Sequence, residues 1–301
     1  MEKIIVSGAS GWLGRSTLNC LASRYKDSNS FKENVTLVSS SPKEIEGFPG
    51  VKTLTFSQAI ERNQEFDGFV HLASLTKDKV STMSHRDYLN EYLEITSSAT
   101  QILQKTKKWF VFVSSGAVWA SPNEILENSI SKNPYGFLKR MEESHFKQVC
   151  SELKITLVCG RLWGGAGFDL LSPEKYAIGS LILNGLRNED LFIRSNYKVF
   201  RRFTDTRVFM ELCLRLAEKG VNKTFDSGGD LVEIQELAEM IRSNFPNNKI
   251  VRPQIELNYS DEYYSKSQDF ENLLLENDLL HPNLVKIIQQ TINGIKSRFI
   301  N

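Results

Sequence analysis

The segment "KIIVSGASGWLG", residues 3–14, does most to limit the folds open to this chain. Ile4, Ile5 and Val6 form a short apolar run, and Gly8, Gly11 and Gly14 follow at three-residue intervals. Residues 12–25 then carry Leu13, Leu18, Leu21 and Tyr25 at helical spacing. A buried strand turning sharply into a helix is expected here. Glycine permits the tight turn and a close backbone approach, while the helix N-terminus offers N–H groups and the positive end of its dipole. Such a loop suits the pyrophosphate of a dinucleotide. A glycine turn that binds nothing is the alternative these residues leave open.

The next 150 residues alternate between two patterns. "VTLVSS" (35–40), "VKTLTF" (51–56), "GFVHLAS" (68–74), "WFVFVSS" (109–115) and "ITLVCGRL" (155–162) read as short strands, and residues 86–106 and 134–153 read as helices. Short apolar strands alternating with helices argue for an α/β chain with a parallel sheet covered on both faces. Right-handed crossovers make that a doubly wound, Rossmann-type sheet. After Arg161 the pattern changes: "GGAGFDLLSPEK" is loop-like, mixed segments follow, and a last helix spans roughly 283–298. A dinucleotide-binding domain over 1–160 is expected, with a smaller C-terminal substrate-binding lobe over 161–301 that returns some segments to the sheet.

Composition excludes several function classes. The formal net charge of the 301 residues is +1, so no basic surplus points to nucleic acid or an anionic membrane. Cys20, Cys150, Cys159 and Cys213 show no C-x-x-C spacing, which fits thiols packed as small hydrophobes in a reducing compartment. "MEKIIVSGAS" turns polar too soon for a signal peptide, and no apolar run approaches a membrane span. A cytoplasmic protein without a metal site is expected.

A site that prefers NAD usually offers Asp or Glu at the end of the second strand, to hold the ribose 2′-hydroxyl. Here that place reads "LVSSSPKE". Ser39, Ser40 and Ser41 stand where the acid would be, and Lys43 follows. Hydroxyls and a cation suit a 2′-phosphate better than a bare ribose, and Arg15 is a second cation within reach of it. NADP(H) is therefore favoured over NAD(H), with an ordinary turn and a solvated lysine as the plainer reading.

Parallel strands deliver their C-terminal ends to the ligand crevice, so Ser114 and Ser115 are expected to emerge there. Further on, "NPYGFLKRMEESH" puts Tyr135 and Lys139 on one helical face, with Pro134 in the first turn. A phenol is a poor base at neutral pH, but a lysine ammonium and a nicotinamide cation favour its ionised form. Tyr135 can then take a proton from an alcohol as hydride leaves for the cofactor, while Ser115 holds the substrate oxygen. Tyr-x-x-x-Lys alone occurs by chance in many helices. Its order after a glycine loop and a serine-ended strand is far less accidental.

"GASGWLG", "HLAS" (71–74), "VFVSSGAVW" and "YGFLK" resemble the extended short-chain dehydrogenases/reductases, the group of NAD-dependent sugar-nucleotide epimerases, dehydratases and reductases. The likeness runs nearly end to end: "CGRLWGG" is similar to the family's arginine-containing strand, and "FRRFTDT" to its R-x-F segment. The resemblance implies that Ser115, Tyr135 and Lys139 are the catalytic triad. It implies that Gly8, Ser10, Gly11, Trp12, Leu13, Gly14 and Arg15 bind the dinucleotide, with Ser39, Ser40, Leu72, Ala73, Ser74, Tyr135 and Lys139 around it. It further implies a nucleotide-sugar substrate met by Ser115, Arg161 and Arg201, and leaves a homodimer open. His71 is read as a packed strand residue.

The chain departs from the family at several places. Gly116 and Ala117 stand where dehydratases carry an acidic pair, so 4,6-dehydration is disfavoured. Trp119 replaces a usual Tyr, "TLTFSQ" lacks the acid after the third strand, "LEITSSATQ" shows no obvious Asn, and Arg207 and Val208 replace a second acidic pair. Epimerisation or 4-ketoreduction of a nucleotide-activated sugar is the expected reaction. A non-catalytic NADP-binding regulatory protein and a reductase of a non-sugar carbonyl are the rivals.

Overall fold

The computed structural model of the chain describes residues 1–119, 133–256 and 258–299. In chain order the elements up to residue 162 are β1 (Ile4–Ser7), α1 (Trp12–Ala22), α2 (Ser28–Asn34), β2 (Val35–Val38), β3 (Glu44–Ile45), β4 (Phe48–Lys52), α3 (Phe56–Glu61), β5 (Phe66–His71), α4 (His85–Leu103), β6 (Thr106–Ser115), α5 (Pro134–Leu153) and β7 (Thr156–Leu162). They continue as β8 (Gly165–Ala166), α6 (Ala177–Leu186), β9 (Leu191–Phe192), β10 (Lys198–Asp205), α7 (Thr206–Glu218), β11 (Lys223–Asp226), β12 (Asp230–Glu233), α8 (Ile234–Arg242), β13 (Ile250–Val251), β14 (Ser260–Tyr263), α9 (Asp269–Glu276) and α10 (Leu284–Phe299).

The chain divides into two compact units, Met1–Arg161 with Met210–Phe225, and Leu162–Phe209 with Asp226–Asn301. The first is built on a six-stranded sheet in the order β11-β7-β6-β5-β1-β2. β1 pairs in parallel with β2 and with β5, and β5 pairs in parallel with β6. This is the Rossmann-type α/β arrangement expected from the alternating pattern. The strand order reverses on either side of β1, so the C-terminal ends of β1 and β5 mark the switch point at which open sheets of this kind place their ligands.

Strand and helix limits follow local chemistry. β1 is buried along its whole length, as a central parallel strand must be. α5 starts at Pro134, whose fixed φ suits a first helical turn, and ends at Lys154 in the left-handed conformation. Residues 51–56 do not form the separate strand their alternation suggests. Phe48–Lys52 pairs back on Glu44–Ile45 as a hairpin, and only Leu54 bridges Val38 in parallel. The reason is Thr55, which closes a capping box with Gln58 and starts α3 one residue later.

The core of this unit is aromatic. Phe69 on β5, Phe110 and Phe112 on β6 and Phe146 on α5 are all buried, with ring centroids 5.0–5.1 Å apart in the pairs Phe69–Phe110, Phe110–Phe146 and Phe112–Phe146. The two edge-to-face pairs that Phe146 makes add to area burial and lock α5 onto β6. The second unit centres on β10, which pairs antiparallel with β12 and in parallel with β14 and β8. No helix among the described residues is long and apolar enough to cross a membrane.

Candidate active site

The glycine loop is shaped by two close approaches. Gly8 has φ +72°, and a Cβ there would lie 2.7 Å from the Ala73 nitrogen and 2.8 Å from the Leu72 carbonyl carbon. Gly14 is equally confined: its Cβ would lie 2.4 Å from the carbonyl oxygens of both Gly8 and Ala9. The loop after β1 is thus pressed against the residues after β5, and α1 is drawn in over it. Gly11 caps α1 without a side chain, its N–H donating to the Gly8 carbonyl at 3.0 Å, and the first turn holds no acid. The positive end of the helix therefore faces the loop with no carboxylate to cancel it. Ser10, Trp12 and Leu13 are half-buried beside it, as are Leu72, Ala73 and Ser74 on the neighbouring loop.

The end of β2 differs from the sequence expectation. Ser39 is buried, and its hydroxyl donates to the Ser41 carbonyl at 2.6 Å and shares a 2.6 Å hydrogen bond with Thr53 Oγ1. It holds the turn together instead of facing outward. Ser40 and Lys43 are exposed. Arg15, on the first turns of α1, is paired at 2.9 Å with Glu46 in the β3–β4 turn. Sequence reasoning missed Glu46, because nothing in "KEIEGF" says which of its acids folds back toward residue 15.

The tip of β6 meets the start of α5. Ser114 is buried, with no partner for its hydroxyl among the described residues. Ser115 Oγ accepts from the Ala117 N–H at 3.2 Å, opening the short 3₁₀ turn Gly116–Val118. Asn133 clamps α5 to that turn: its Oδ1 accepts from the Gly136 N–H at 3.0 Å, and its Nδ2 donates to the Ala117 carbonyl at 3.1 Å. Gly136 makes the clamp possible, since a Cβ there would lie only 2.0 Å from the Ala117 oxygen. Tyr135, between the clamp residues, is half-buried. Asn133 was not singled out by the sequence, although an Asn directly before Pro at a helix start is a capping signal.

Lys139 is buried at 3% exposure one turn further along α5. Its Nζ donates to the Val113 carbonyl at 3.3 Å and to Glu142 Oε2 at 3.1 Å, and stands 4.7 Å from the centre of the Phe112 ring. Glu142 is itself buried and also accepts from Tyr92 at 2.5 Å and from Thr96 at 3.1 Å. Burial alone pushes the Glu142 carboxyl up, but the Lys139 charge, with His71 and Tyr92, outweighs it and holds the group at about 2. His71 packs in the core with Nδ1 hydrogen-bonded to Ser7 Oγ at 2.6 Å, and burial pushes its imidazole below the usual value. Burial also raises the Tyr88 and Tyr92 phenols, and the Glu142 charge raises both further.

Both expected substrate arginines already have carboxylate partners. Glu143 holds Arg161 through two bonds of 2.9 and 2.7 Å, and the guanidinium lies 4.9 Å from the Trp119 ring centre. In the second unit, Arg201 reaches Asp261 at 2.6 Å and lies over Tyr263.

Chemically, unit one offers an anion-ready helix end, a hydroxyl at a strand tip, a phenol and a buried ammonium. Solved structures share this architecture at low identity. UDP-N-acetylglucosamine 4-epimerase from Methanobrevibacter ruminantium, in complex with UDP-N-acetylmuramic acid, superposes with a TM-score of 0.77 at 17% identity, covering 99% of each chain. UDP-glucose 4-epimerase from Thermotoga maritima, with UDP-glucose, gives 0.72 at 16%, covering 98% of this chain and 99% of that one. The protein MoeE5, solved with UDP-glucose and NAD, gives 0.72 at 15% over 98% and 99%. No curated protein sequence matches the chain. A family model does match residues 4–228, and on that match the chain belongs to the NAD dependent epimerase/dehydratase family of enzymes.

Proposed function

We propose that this enzyme epimerises or reduces a nucleotide-activated sugar at a ring carbon bearing hydroxyl or keto oxygen, by hydride exchange with a nicotinamide dinucleotide. The observation that carries the reading is the Asn133–Gly136 clamp, which fixes Tyr135 beside the Ser115 turn while Lys139 is anchored under β6. The dinucleotide, when bound, accepts or returns the hydride. Gly8, Gly11, Gly14 and the start of α1 hold its pyrophosphate, Ser115 orients the sugar oxygen, and Tyr135 takes or gives that oxygen's proton. Nucleotide sugars in the related structures support the substrate class.

The preference for NADP(H) rests on less than the sequence offered. Ser39 is committed to its own turn and Arg15 to Glu46, so Ser40, Ser41 and Lys43 are the exposed donors. Calorimetric titration of NAD⁺ and NADP⁺ decides between them.

Tyr135→Phe tests the central assignment. Removing a general acid–base group costs about a hundred- to ten-thousandfold in rate. Dinucleotide affinity is expected to stay nearly unchanged while conversion of a UDP-sugar panel falls by that factor. Full turnover by the variant on a sugar that the wild type converts overturns the assignment.

A further inference from the structure

Glu142 lies outside the triad, yet the triad's lysine is built around it. It follows Lys139 by three residues on α5 and so shares its face. Its carboxylate is 2% exposed and takes up Lys139, Tyr92 and Thr96 in one cluster, with His71 Nε2 3.7 Å away. Stability alone does not account for a carboxylate here, because a buried ion pair is often no better than apolar residues of the same volume. What the carboxylate does supply is a full negative charge directly behind the only ammonium that the reading above assigns to Tyr135.

We propose that Glu142 is a positioning residue that holds Lys139 against Val113 and offsets its charge, so that Tyr135 stays protonated to a higher pH than Lys139 alone would allow. This rests on Tyr135 being the proton-transfer group, but it is measurable without turnover. An ammonium has three N–H donors. Val113 and Glu142 take two, leaving one for Tyr135 or a ligand. The field that this remaining N–H directs outward is the sum of Lys139 and Glu142, not of Lys139 by itself. Among the described residues, the titratable groups around the pair are His71 on β5, Tyr88 and Tyr92 on α4, Tyr135 on α5 and Cys159 on β7. From β6, the Val113 carbonyl and the Phe112 ring meet Lys139.

The test is ultraviolet titration of tyrosinate, without dinucleotide and again with saturating NAD⁺. The absorbance step of Tyr135 is isolated by subtracting Tyr135→Phe from wild type, and Glu142→Gln/Tyr135→Phe from Glu142→Gln. Tyr88 and Tyr92 cancel in each difference. Removing the buried charge that faces Lys139 is expected to move the step down by about one pH unit in Glu142→Gln. If Glu142→Gln does not fold, Lys139→Gln is compared with Lys139→Gln/Glu142→Gln, where the double variant buries no charge and the same downward shift is expected. An unchanged or raised step in a folded Glu142→Gln, or equal steps in the second pair, overturns the proposal. Full turnover by Tyr135→Phe would remove the catalytic reading while leaving the titration result standing.

Discussion

Replacing Gly136 with Ala puts the clamp between α5 and the Ser115 turn to a direct test. On an exposed helix this change is favourable by roughly 0.5–1 kcal/mol, because glycine is the more flexible residue. Here the new methyl would sit 2.0 Å from the Ala117 oxygen and 2.3 Å from Asn133 Nδ2, where about 3.4 Å is needed for ordinary contact. The overlap can be relieved only by moving the first turn of α5 away from Ala117 by about 1 Å or more, which breaks the two Asn133 hydrogen bonds. Those are worth about 1 kcal/mol each, and residual crowding costs about 1 kcal/mol more. Against the propensity gain, a net loss of about 2–2.5 kcal/mol is expected in chemical denaturation. Activity should suffer more than stability. Tyr135 precedes Gly136 and moves with it, and a misplacement of about 1 Å in a reacting group costs on the order of a hundredfold. The assay is dinucleotide-coupled conversion of a sugar that the wild type accepts, beside a melt of the same preparation. A variant at least as stable as wild type with undiminished rate would show that the clamp is not what positions Tyr135.

Three further outcomes are expected. Gly14→Ala places a methyl 2.4 Å from two loop carbonyls and forces α1 off the loop, so calorimetric NAD⁺ affinity should fall by about tenfold or more, the loss of one charge-assisted hydrogen bond; unchanged affinity removes the loop from the binding site. Glu142 is held at about 2 in the fold against roughly 4.3 in the unfolded chain. The stability tied to its ionisation is complete above pH ~4.3 and is lost as the pH falls toward about 2. Stability of wild type should therefore drop through that window and that of Glu142→Gln should drop less, as denaturation at stepped pH will show. Glu46→Gln releases Arg15 from its partner, and NADP⁺ affinity should rise about two- to fivefold over wild type, the range of an exposed ion pair; no change would mean that Arg15 does not meet the 2′-phosphate.

The fold was legible because a buried parallel strand cannot disguise its composition. Ile4–Ser7, Phe66–His71 and Thr106–Ser115 are built around the buried apolar runs Ile4–Val6, Gly68–Val70 and Trp109–Val113, whose lengths suit strands, and the glycines after the first leave one way for the chain to turn. Residues 51–56 misled for the same local reason. Their alternation is real, but the pairing partner is the preceding Glu44–Ile45, and Thr55 begins α3 before a sixth residue can extend. A periodic pattern records which side chains are buried, not which strand lies beside them.

The site was legible only as far as its own spacing reached. Tyr135 and Lys139 declare a shared face, but Glu142 and Glu143 stand side by side as two apparently equal acids. About 100° of helical rotation separates them, and it sends them to opposite fates. Glu143 turns toward Arg161 on β7, while Glu142 turns inward to the side that already carries Lys139. The signal was present in numbers, since residue 142 falls three after 139 and seven after 135, so all three point the same way. What it lacked was any sign that the face was buried, and that depends on Tyr92 and Thr96, some 50 residues earlier in the chain. The same limit hid Glu46 from Arg15 and Asp261 from Arg201. A motif names the groups that do the chemistry, whereas the charges that tune them arrive from distant segments and become visible only when the sheet brings those segments together.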